Sequence, residues 1–216
     1  MANAIPHDKS NGYEQIAETF MRARNPRIGP ATVREWSRTF SPATSILDLG
    51  CGYGLPITQV LIDQGFVVYG VDASLKLITA FRERFPNAFA ECAAVEDSEF
   101  FCRTFDGIIA WGLMFLLAPD VQRAVIGKVA RALNPGGRFL FTSPMKAVTW
   151  SDSLTGRTSI SLGAEAYEQV LRAKGLLLTG EAVDEGENYY YFASKPCQGR
   201  HTQTLESRSA TRSNPQ

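Results

Sequence analysis

The chain has 216 residues, of which 44% are hydrophobic, and its 22 Lys and Arg residues balance its 22 Asp and Glu residues. This length fits one domain with a sizeable core, and the zero net charge gives no overall field to attract nucleic acid or an anionic membrane surface. Neither nucleic acid nor a membrane is therefore an expected partner.

The first predicted elements are two helices, over about residues 12–24 and 30–40. The first is amphipathic, which is typical of a helix that packs one face against the rest of its domain. Residues 1–44 are expected to lie over the open end of a sheet as a lid or cap, or to cover an apolar edge of that sheet; the sequence leaves both open. The apolar face of the first helix contains Tyr13, Ile16, Ala17 and Phe20.

From residue 45 onward, short β-rich runs alternate with helical segments, a pattern that predicts an α/β fold around a mostly parallel sheet. Only the acidic turn 184–188 separates the last two strands, so these must be antiparallel neighbours. Strands are predicted over 45–49, 66–71, 88–92, 105–110, 137–143, 176–183 and 188–194. Helices are predicted over 54–64, 74–84, 97–103, 119–133 and 163–174.

The predicted core covers residues 45–195. Residues 196–216 are polar, with hardly any large apolar side chain, and this composition predicts a disordered tail. The longest apolar run, 107–119, is well short of the roughly 20 residues that cross a bilayer. The N-terminus lacks a basic region followed by an apolar core, so a cytoplasmic location is expected.

Cysteine and histidine usage argues against metal chemistry. The cysteines at positions 51, 92, 102 and 197 form no CxxC pair, so reduced thiols are expected rather than a zinc site or a disulfide framework. His7 and His201 are the only histidines, and a histidine base or a histidine-ligated metal would have to be built from the chain ends. No metal is expected.

The most informative motif is Ser45–Gly54, in which a short apolar strand carrying an acid is followed by Gly50, Gly52 and Gly54. Such glycines let the backbone turn tightly and approach a ligand closely, which favours a nucleotide-like ligand. A dinucleotide fingerprint needs a small residue where this chain has Leu55, so the spacing argues against NAD. Glycine-rich turns also serve as plain strand-to-helix connections.

Two acids accompany this motif. Asp72 ends the second predicted strand, 22 residues after Gly50, where a carboxylate can accept hydrogen bonds from ribose hydroxyls. The alternative role for Asp72 is to cap the helix that begins at Ser74. Asp48 lies between Leu47 and Leu49 in a central strand, where a charge is costly to bury unless a positive or hydrogen-bonding group meets it.

Over about residues 12–195, the chain resembles the class I S-adenosylmethionine-dependent methyltransferases. The resemblance implies a Rossmann-like sheet of seven strands, mostly parallel with an antiparallel last strand, and helices on both faces. It also implies an enzyme that uses S-adenosylmethionine and releases S-adenosylhomocysteine. Four motifs carry it: Ile46–Gly54, Gly70–Ser74, Thr104–Ile109 and Leu133–Leu140.

The resemblance implies a role for particular residues in cofactor binding. Asp48 would hold the cofactor's amino group, Asp72 and Ala73 would lie at its ribose, and Val95 would meet the adenine ring through its backbone N–H. Ala94 stands where the family often has an acid for the adenine amino group, which leaves open whether Glu96 or Asp97 compensates. The methionine and sulfonium part would be lined by Gly50, Cys51, Gly52, Ala110 and Trp111.

The methyl acceptor is not evident from the sequence. A methyl group on a sulfonium is already a strong electrophile, so the enzyme mainly aligns a nucleophile and excludes water, and no catalytic motif need be visible. Candidates on the acceptor side come from the first helix, the run 111–115, which could equally be core, the long loop 144–156 and the turn 184–189. They are Tyr13, Met114, Trp150, Asp152, Glu187 and Tyr189.

The functional prediction is methyl transfer from S-adenosylmethionine to a small molecule, through an oxygen, nitrogen or sulfur atom that the sequence does not identify. A protein or peptide acceptor, and a regulatory module that binds the cofactor without catalysis, are alternatives. A nicotinamide-dependent oxidoreductase is the weakest contender because Leu55 breaks the fingerprint. The sequence does not indicate an oligomeric state.

Overall fold

A seven-stranded sheet forms the centre of the computed structural model, which describes residues 8–197. The strand order is β3-β2-β1-β4-β5-β9-β8, and β9 runs antiparallel to both β5 and β8 while the other pairs are parallel. The predicted fold class is confirmed. The strands are β1 Ser45–Leu49, β2 Val67–Asp72, β3 Phe89–Cys92, β4 Phe105–Ala110, β5 Leu133–Thr142, β8 Leu177–Val183 and β9 Tyr189–Ser194.

Helices pack around this sheet and complete its two apolar layers. One layer buries Val125, Ile126 and Tyr167 against the sheet, and the other buries Val33 and Trp36. No helix within residues 8–197 has the length and apolar character that crossing a bilayer requires. The helices are α1 Tyr13–Ala23, α2 Pro30–Ser37, α3 Ile57–Asp63, α4 Leu75–Arg84, α5 Pro119–Ala132 and α6 Ala164–Ala173, with short 3-10 turns at Phe100–Cys102 and Met114–Leu116.

The sheet has a topological switch between β1 and β4. The chain moves outward from β1 to β2 and β3, and then returns to place β4 on the other side of β1. The connections therefore diverge above the carboxyl ends of β1 and β4, where open α/β sheets bind their ligands. β1 is buried on both faces, as its nearly continuous apolar sequence requires.

Three element predictions were wrong. The segment 97–103 is not a helix, because Phe100, Phe101 and Cys102 all have φ near +50°, which a right-handed helix does not allow. The loop 144–156 instead contains a strand of a small hairpin, β6 Val148–Ser151 with β7 Thr158–Ser161. Strand β5 begins at Leu133 rather than residue 137, since Leu133 already pairs with Phe105 before a shift in register.

The N-terminal helices occupy different places. α1 packs on α4, with Ala17 and Phe20 in one apolar cluster with Leu77. α2 packs on α3 and covers a face of the sheet through Trp36. His7, His201 and the predicted tail from residue 198 onward lie outside the described residues.

Replacement of Gly54 by Ala is expected to destabilise the fold far more than the same change at Gly65. Both glycines have φ above +80°, so both variants incur backbone strain. At Gly54 the new Cβ would lie 2.2 Å from Phe85 Cε2, in a buried cluster, whereas at Gly65 it would meet no atom of residues 8–197 within 4 Å. Overpacking should make Gly54→Ala about 1–3 kcal/mol worse than Gly65→Ala in urea unfolding. Equal losses would contradict this packing.

Candidate functional site

A cavity, called the central cavity below, lies above the carboxyl ends of β1, β2 and β4. Its floor is the glycine loop after β1, and its walls come from the ends of β2, β3 and β4. α1 and the segment before it cover the cavity from above, and the β6–β7 hairpin closes one side. The switch point of the sheet therefore holds the cavity that the strand order predicts for a ligand.

The glycine loop is shaped for close approach of a ligand. Gly50 and Gly52 both have positive φ, and a Cβ on Gly50 would meet Leu113 at 3.0 Å. Gly50 N–H donates to the Val71 carbonyl at 2.8 Å, which ties the loop to β2. The backbone of this loop, without side chains, therefore lines the cavity.

Asp72 is fixed by two backbone donors. Gly52 N–H donates to Oδ2 and Ser74 N–H donates to Oδ1, each at 2.8 Å. Ser74 itself caps α4 by accepting from Leu77 N–H, so the alternative capping role belongs to Ser74 rather than Asp72. Burial is the main cause of a raised pKa for Asp72. Each carboxylate oxygen keeps a lone pair for a donor in the cavity.

Asp48 is a buried carboxyl group with one hydrogen bond from a side chain, donated by Thr58 Oγ1 at 2.6 Å. Burial raises its pKa to about 7, with a smaller contribution from Asp72, while the Thr58 hydrogen bond and Arg24 oppose the shift. Asp48 therefore lies at the cavity with a pKa close to neutral pH. A cationic group in the cavity would favour its charged form.

The variant Asp48→Asn is expected to be more stable than the wild type at pH 8. The pKa of Asp48 is about 7 in the folded protein and 3.8 ordinarily. Below pH 4 the group is protonated in both the folded and unfolded states, and the wild type has its full stability. As pH rises through 7 the buried group must ionise, and the wild type loses that stability. The advantage of the variant should reach at most about 4 kcal/mol and vanish near pH 4 in denaturant unfolding. Asp63→Asn, at an exposed site, is the control and should change the free energy of unfolding at pH 8 by no more than about 0.5 kcal/mol. A pH-independent gain for Asp48→Asn would contradict the shift.

Arg24 follows the last turn of α1 and is a cavity residue that the sequence did not single out. Its guanidinium lies 3.9 Å from the centre of the Trp111 ring and 5.3 Å from that of Phe20. Among residues 8–197 no carboxylate lies within ion-pair distance of Arg24, and its buried Nε–H has no hydrogen-bond partner. Burial lowers its pKa to about 10. An anionic group in the cavity would offset this cost.

Trp111 forms the wall beneath Arg24. Its Nε1 donates to the Tyr190 hydroxyl at 2.6 Å, and that hydroxyl donates to Asp184 Oδ2 at 2.7 Å. Two hydrogen bonds in series thus fix the indole ring. The face that Trp111 presents to Arg24 is therefore held in one orientation.

The segment after β3 lines the opposite end of the cavity with Ala94, Val95 and Glu96. The Lys128 ammonium donates to the backbone carbonyls of Val95 and Glu96, which fixes the segment. The Lys9 ammonium bridges Glu96 at 3.4 Å and Asp97 at 2.6 Å. Of the two acids considered as replacements at Ala94, Glu96 lines the cavity and Asp97 does not.

Most of the predicted site residues come together in this cavity. The lining includes Asp48, Gly50, Cys51, Gly52, Asp72, Ala73, Val95, Glu96, Trp111 and Tyr13. Within the described part of the chain no cluster of three or more His, Cys, Asp or Glu side chains could hold a metal ion. Burial raises the pKa of the Cys51 thiol, which therefore stays protonated.

Five predicted residues do not line the cavity. Ala110 and Met114 are fully buried in the main core, because the 3-10 turn after β4 directs Met114 inward and leaves Phe115 on the cavity wall. Trp150 packs against Phe115 at 5.4 Å between ring centres instead of facing the cavity. The exposed Glu187 and the half-buried Tyr189 flank Asn188, which does line it.

The cavity also contains residues that the site prediction left out. Besides Arg24, these include Asn11 and Phe20 from the N-terminal segment, whereas Asp152 from the β6–β7 turn is a predicted acceptor-side residue that does line the cavity. Asp152 and Phe20 belong to segments that the sequence pointed to as a loop and a lid. Asn11 and Arg24 had no local signal, since their position depends on how α1 packs over the sheet.

Comparisons with known proteins agree with this geometry. Residues 46–137 match the family model for the methyltransferase domain. An uncharacterized methyltransferase of Synechocystis sp. is 31% identical over 110 residues, or 51% of each chain. A sarcosine/dimethylglycine N-methyltransferase of Halorhodospira halochloris is 33% identical over 122 residues, covering 51% of this chain and 41% of the relative. The chain spans about half the length of the curated relatives it matches.

Solved structures share the fold at low sequence identity. The CcbJ methyltransferase from Streptomyces caelestis has a TM-score of 0.69 at 17% identity, over 88% of this chain and 100% of that one. The Burkholderia thailandensis 1,6-didemethyltoxoflavin-N1-methyltransferase, solved with S-adenosylhomocysteine, has a TM-score of 0.68 at 18% identity, over 91% and 92%. Residues 46–137 therefore match a methyltransferase domain, and the chain shares its fold with solved S-adenosylmethionine-dependent methyltransferases.

Proposed function

We propose that this protein transfers a methyl group from S-adenosylmethionine to a small molecule. The observation that carries the proposal is the convergence of a glycine loop, the buried Asp48, the half-buried Asp72 and Arg24, which forms no ion pair within residues 8–197, in one cavity at the switch point of the sheet. These groups match the chemistry of a ligand that combines an amino acid with a nucleoside.

The amino-acid part of the cofactor carries an ammonium and a carboxylate. Asp48 and Arg24 are near enough to shift each other's pKa but do not form an ion pair within residues 8–197. A zwitterion would satisfy both, with its ammonium at Asp48 and its carboxylate at Arg24. The glycine loop at Gly50 and Gly52 lies beside them and admits the ligand closely.

The nucleoside part suits the other end of the cavity. The oxygens of Asp72 can accept from ribose hydroxyls, because within the described part of the chain each has one backbone donor and keeps a lone pair. Val95 and Glu96 offer backbone and carboxylate groups at the end where adenine would lie. We propose that these residues, with Cys51, Ala73 and Trp111, bind the cofactor.

The bound cofactor would supply a methyl group on a positively charged sulfur, which an acceptor lone pair can attack directly. The protein's own contribution is then to position the acceptor and exclude water. α1 covers the cavity, and a Cβ on Gly52 would lie 3.5 Å from Phe20 of this helix. We propose that residues 8–24 act as a lid over the core formed by residues 45–195, whereas α2 covers a face of the sheet.

A covered cavity favours a small acceptor over a protein side chain. The segment before α1 is tied down on two sides, by Lys9 to Asp97 and by Asp8 to Arg157 at 2.9 Å. A macromolecular acceptor would have to displace these pairs. The curated relative from Halorhodospira is named for small acceptors, sarcosine and dimethylglycine, and the Burkholderia structure for 1,6-didemethyltoxoflavin.

The proposal is tested by incubating the protein with methyl-labelled S-adenosylmethionine and cell extracts separated by ultrafiltration. Label in the small-molecule fraction is the expected result. Label found only in macromolecules would contradict a small acceptor and favour protein or peptide methylation. Binding of cofactor with no label transfer to either fraction would favour a regulatory module.

A further inference from the structure

Asp152 is a cavity carboxylate whose side-chain partners are all neutral. It lies in the turn of the β6–β7 hairpin and is only 9% exposed. Its Oδ1 accepts from Leu154 N–H, Thr155 N–H and the Thr155 hydroxyl, while Oδ2 accepts, among residues 8–197, only from the Tyr13 hydroxyl, at 3.3 Å. Oδ2 therefore retains accepting capacity toward a donor in the cavity.

Each of the other acids that line the cavity, and Arg24, has a partner of opposite charge or a donor, either in the protein or in the proposed cofactor. Glu96 faces Lys9 across an ion pair. Asp48, Arg24 and Asp72 have partners in the cofactor under the proposed function. Asp152 is thus the one cavity carboxylate, among the described residues, left with neither a cation nor a role in cofactor binding.

Aromatic faces surround the same cavity. Tyr13 and Phe115 line it next to Phe20 and Trp111, whose faces are turned to the Arg24 guanidinium. Aromatic faces attract cations, and a carboxylate next to them strengthens that preference. An anionic acceptor would meet repulsion from Asp152, while an ammonium or amine N–H group would find an acceptor there.

We infer that the methyl acceptor is an amine whose N–H groups donate to Asp152; this inference rests on the proposed function. An uncharged amine nitrogen forms the new N–C bond with its lone pair while the C–S bond breaks and its electrons go to sulfur. Positive charge thereby moves from sulfur to nitrogen, and a carboxylate beside the nitrogen stabilises that charge. For a phenolate or thiolate acceptor the same carboxylate would oppose binding of the nucleophile.

Binding of matched probes to the full chain tests this inference. Calorimetry with benzylamine, benzyl alcohol and benzoate, which share one ring, is carried out with and without saturating S-adenosylhomocysteine. Benzylamine is expected to bind about tenfold or more tightly than benzyl alcohol, as a charged hydrogen bond requires, and benzoate least tightly. Equal or tighter binding of the alcohol or benzoate would overturn the inference.

The variant Asp152→Asn removes the negative charge while keeping the hydrogen bonds that form the turn. The Asn oxygen can still accept from Leu154 and Thr155, so the hairpin should be kept, while preference for the amine over the alcohol should fall about tenfold. Asp106→Asn is the control, since Asp106 also accepts side-chain hydrogen bonds, from Asn134 Nδ2 at 2.8 Å, and is half-buried, but does not line the cavity. It should leave the preference unchanged.

The two proposals fail in different ways. Normal S-adenosylhomocysteine binding with no amine preference, or with the same preference in Asp152→Asn as in the wild type, would overturn the amine inference alone. Absence of S-adenosylhomocysteine binding, with Asp152-dependent amine binding retained, would overturn the proposed function and leave amine recognition in place.

Discussion

The variant Asp72→Asn is expected to bind S-adenosylhomocysteine about 10- to 100-fold more weakly than the wild type, the loss that follows when hydrogen bonds to a charged acceptor are removed. The amide nitrogen of Asn would also face one of the two backbone donors, Gly52 N–H or Ser74 N–H, that now fix the carboxylate. Calorimetry with S-adenosylhomocysteine measures the effect.

Asp106→Asn is the control for this change. Asp106 accepts from Asn134 Nδ2 at 2.8 Å and does not line the central cavity. Its replacement should leave the dissociation constant unchanged. An affinity of Asp72→Asn equal to that of the wild type would show that the acid at the end of β2 does not contact the ligand.

Replacement of Arg24 by Met is expected to change stability and cofactor affinity in opposite directions. Without ligand, the variant should gain about 1 kcal/mol in free energy of unfolding, because it removes a poorly compensated guanidinium and keeps the contact with Trp111. Binding of S-adenosylhomocysteine should weaken about 30-fold or more, because the ligand carboxylate loses its partner. Urea unfolding and calorimetry on the same samples measure both quantities.

Arg22→Met on the same helix provides the comparison. Arg22 is exposed and lies 4.0 Å from Glu18, a pair that contributes little to stability. Its replacement should leave both quantities nearly unchanged. Loss of stability together with loss of affinity in Arg24→Met would mean that Arg24 is a structural residue, and would contradict a ligand-binding role.

The sheet could be predicted from local patterns because its strands carry strong ones. β1 is a short apolar run before glycines, and the turn 184–188 is too short for anything but an antiparallel pair. The wrong element predictions concern segments whose local sequence pattern is weak or misleading. Phe100–Cys102 is apolar enough for a helix, but its backbone is left-handed. β6 is largely exposed and pairs only with β7, so no buried face marks it.

The residues of the candidate site also differ in whether a local sequence pattern could predict them. Asp48, Gly50 and Asp72 could be found because each lies at or beside the carboxyl end of a strand, and parallel strands bring these ends to one edge of the sheet. Arg24 could not, since one arginine at a helix end looks like any other until α1 is placed over the sheet. Which of Met114 and Phe115 lines the cavity depends on the direction of the 3-10 turn that contains them, and hydrophobicity does not specify that direction.

Titration of the wild-type protein with S-adenosylhomocysteine is the most direct test of the central cavity as a cofactor site. Saturable binding at a single site is expected, with a dissociation constant in the micromolar range that rises in both Asp72→Asn and Arg24→Met. Absence of binding up to high micromolar concentrations, or binding that neither variant weakens, would contradict the assignment of S-adenosylmethionine to this cavity.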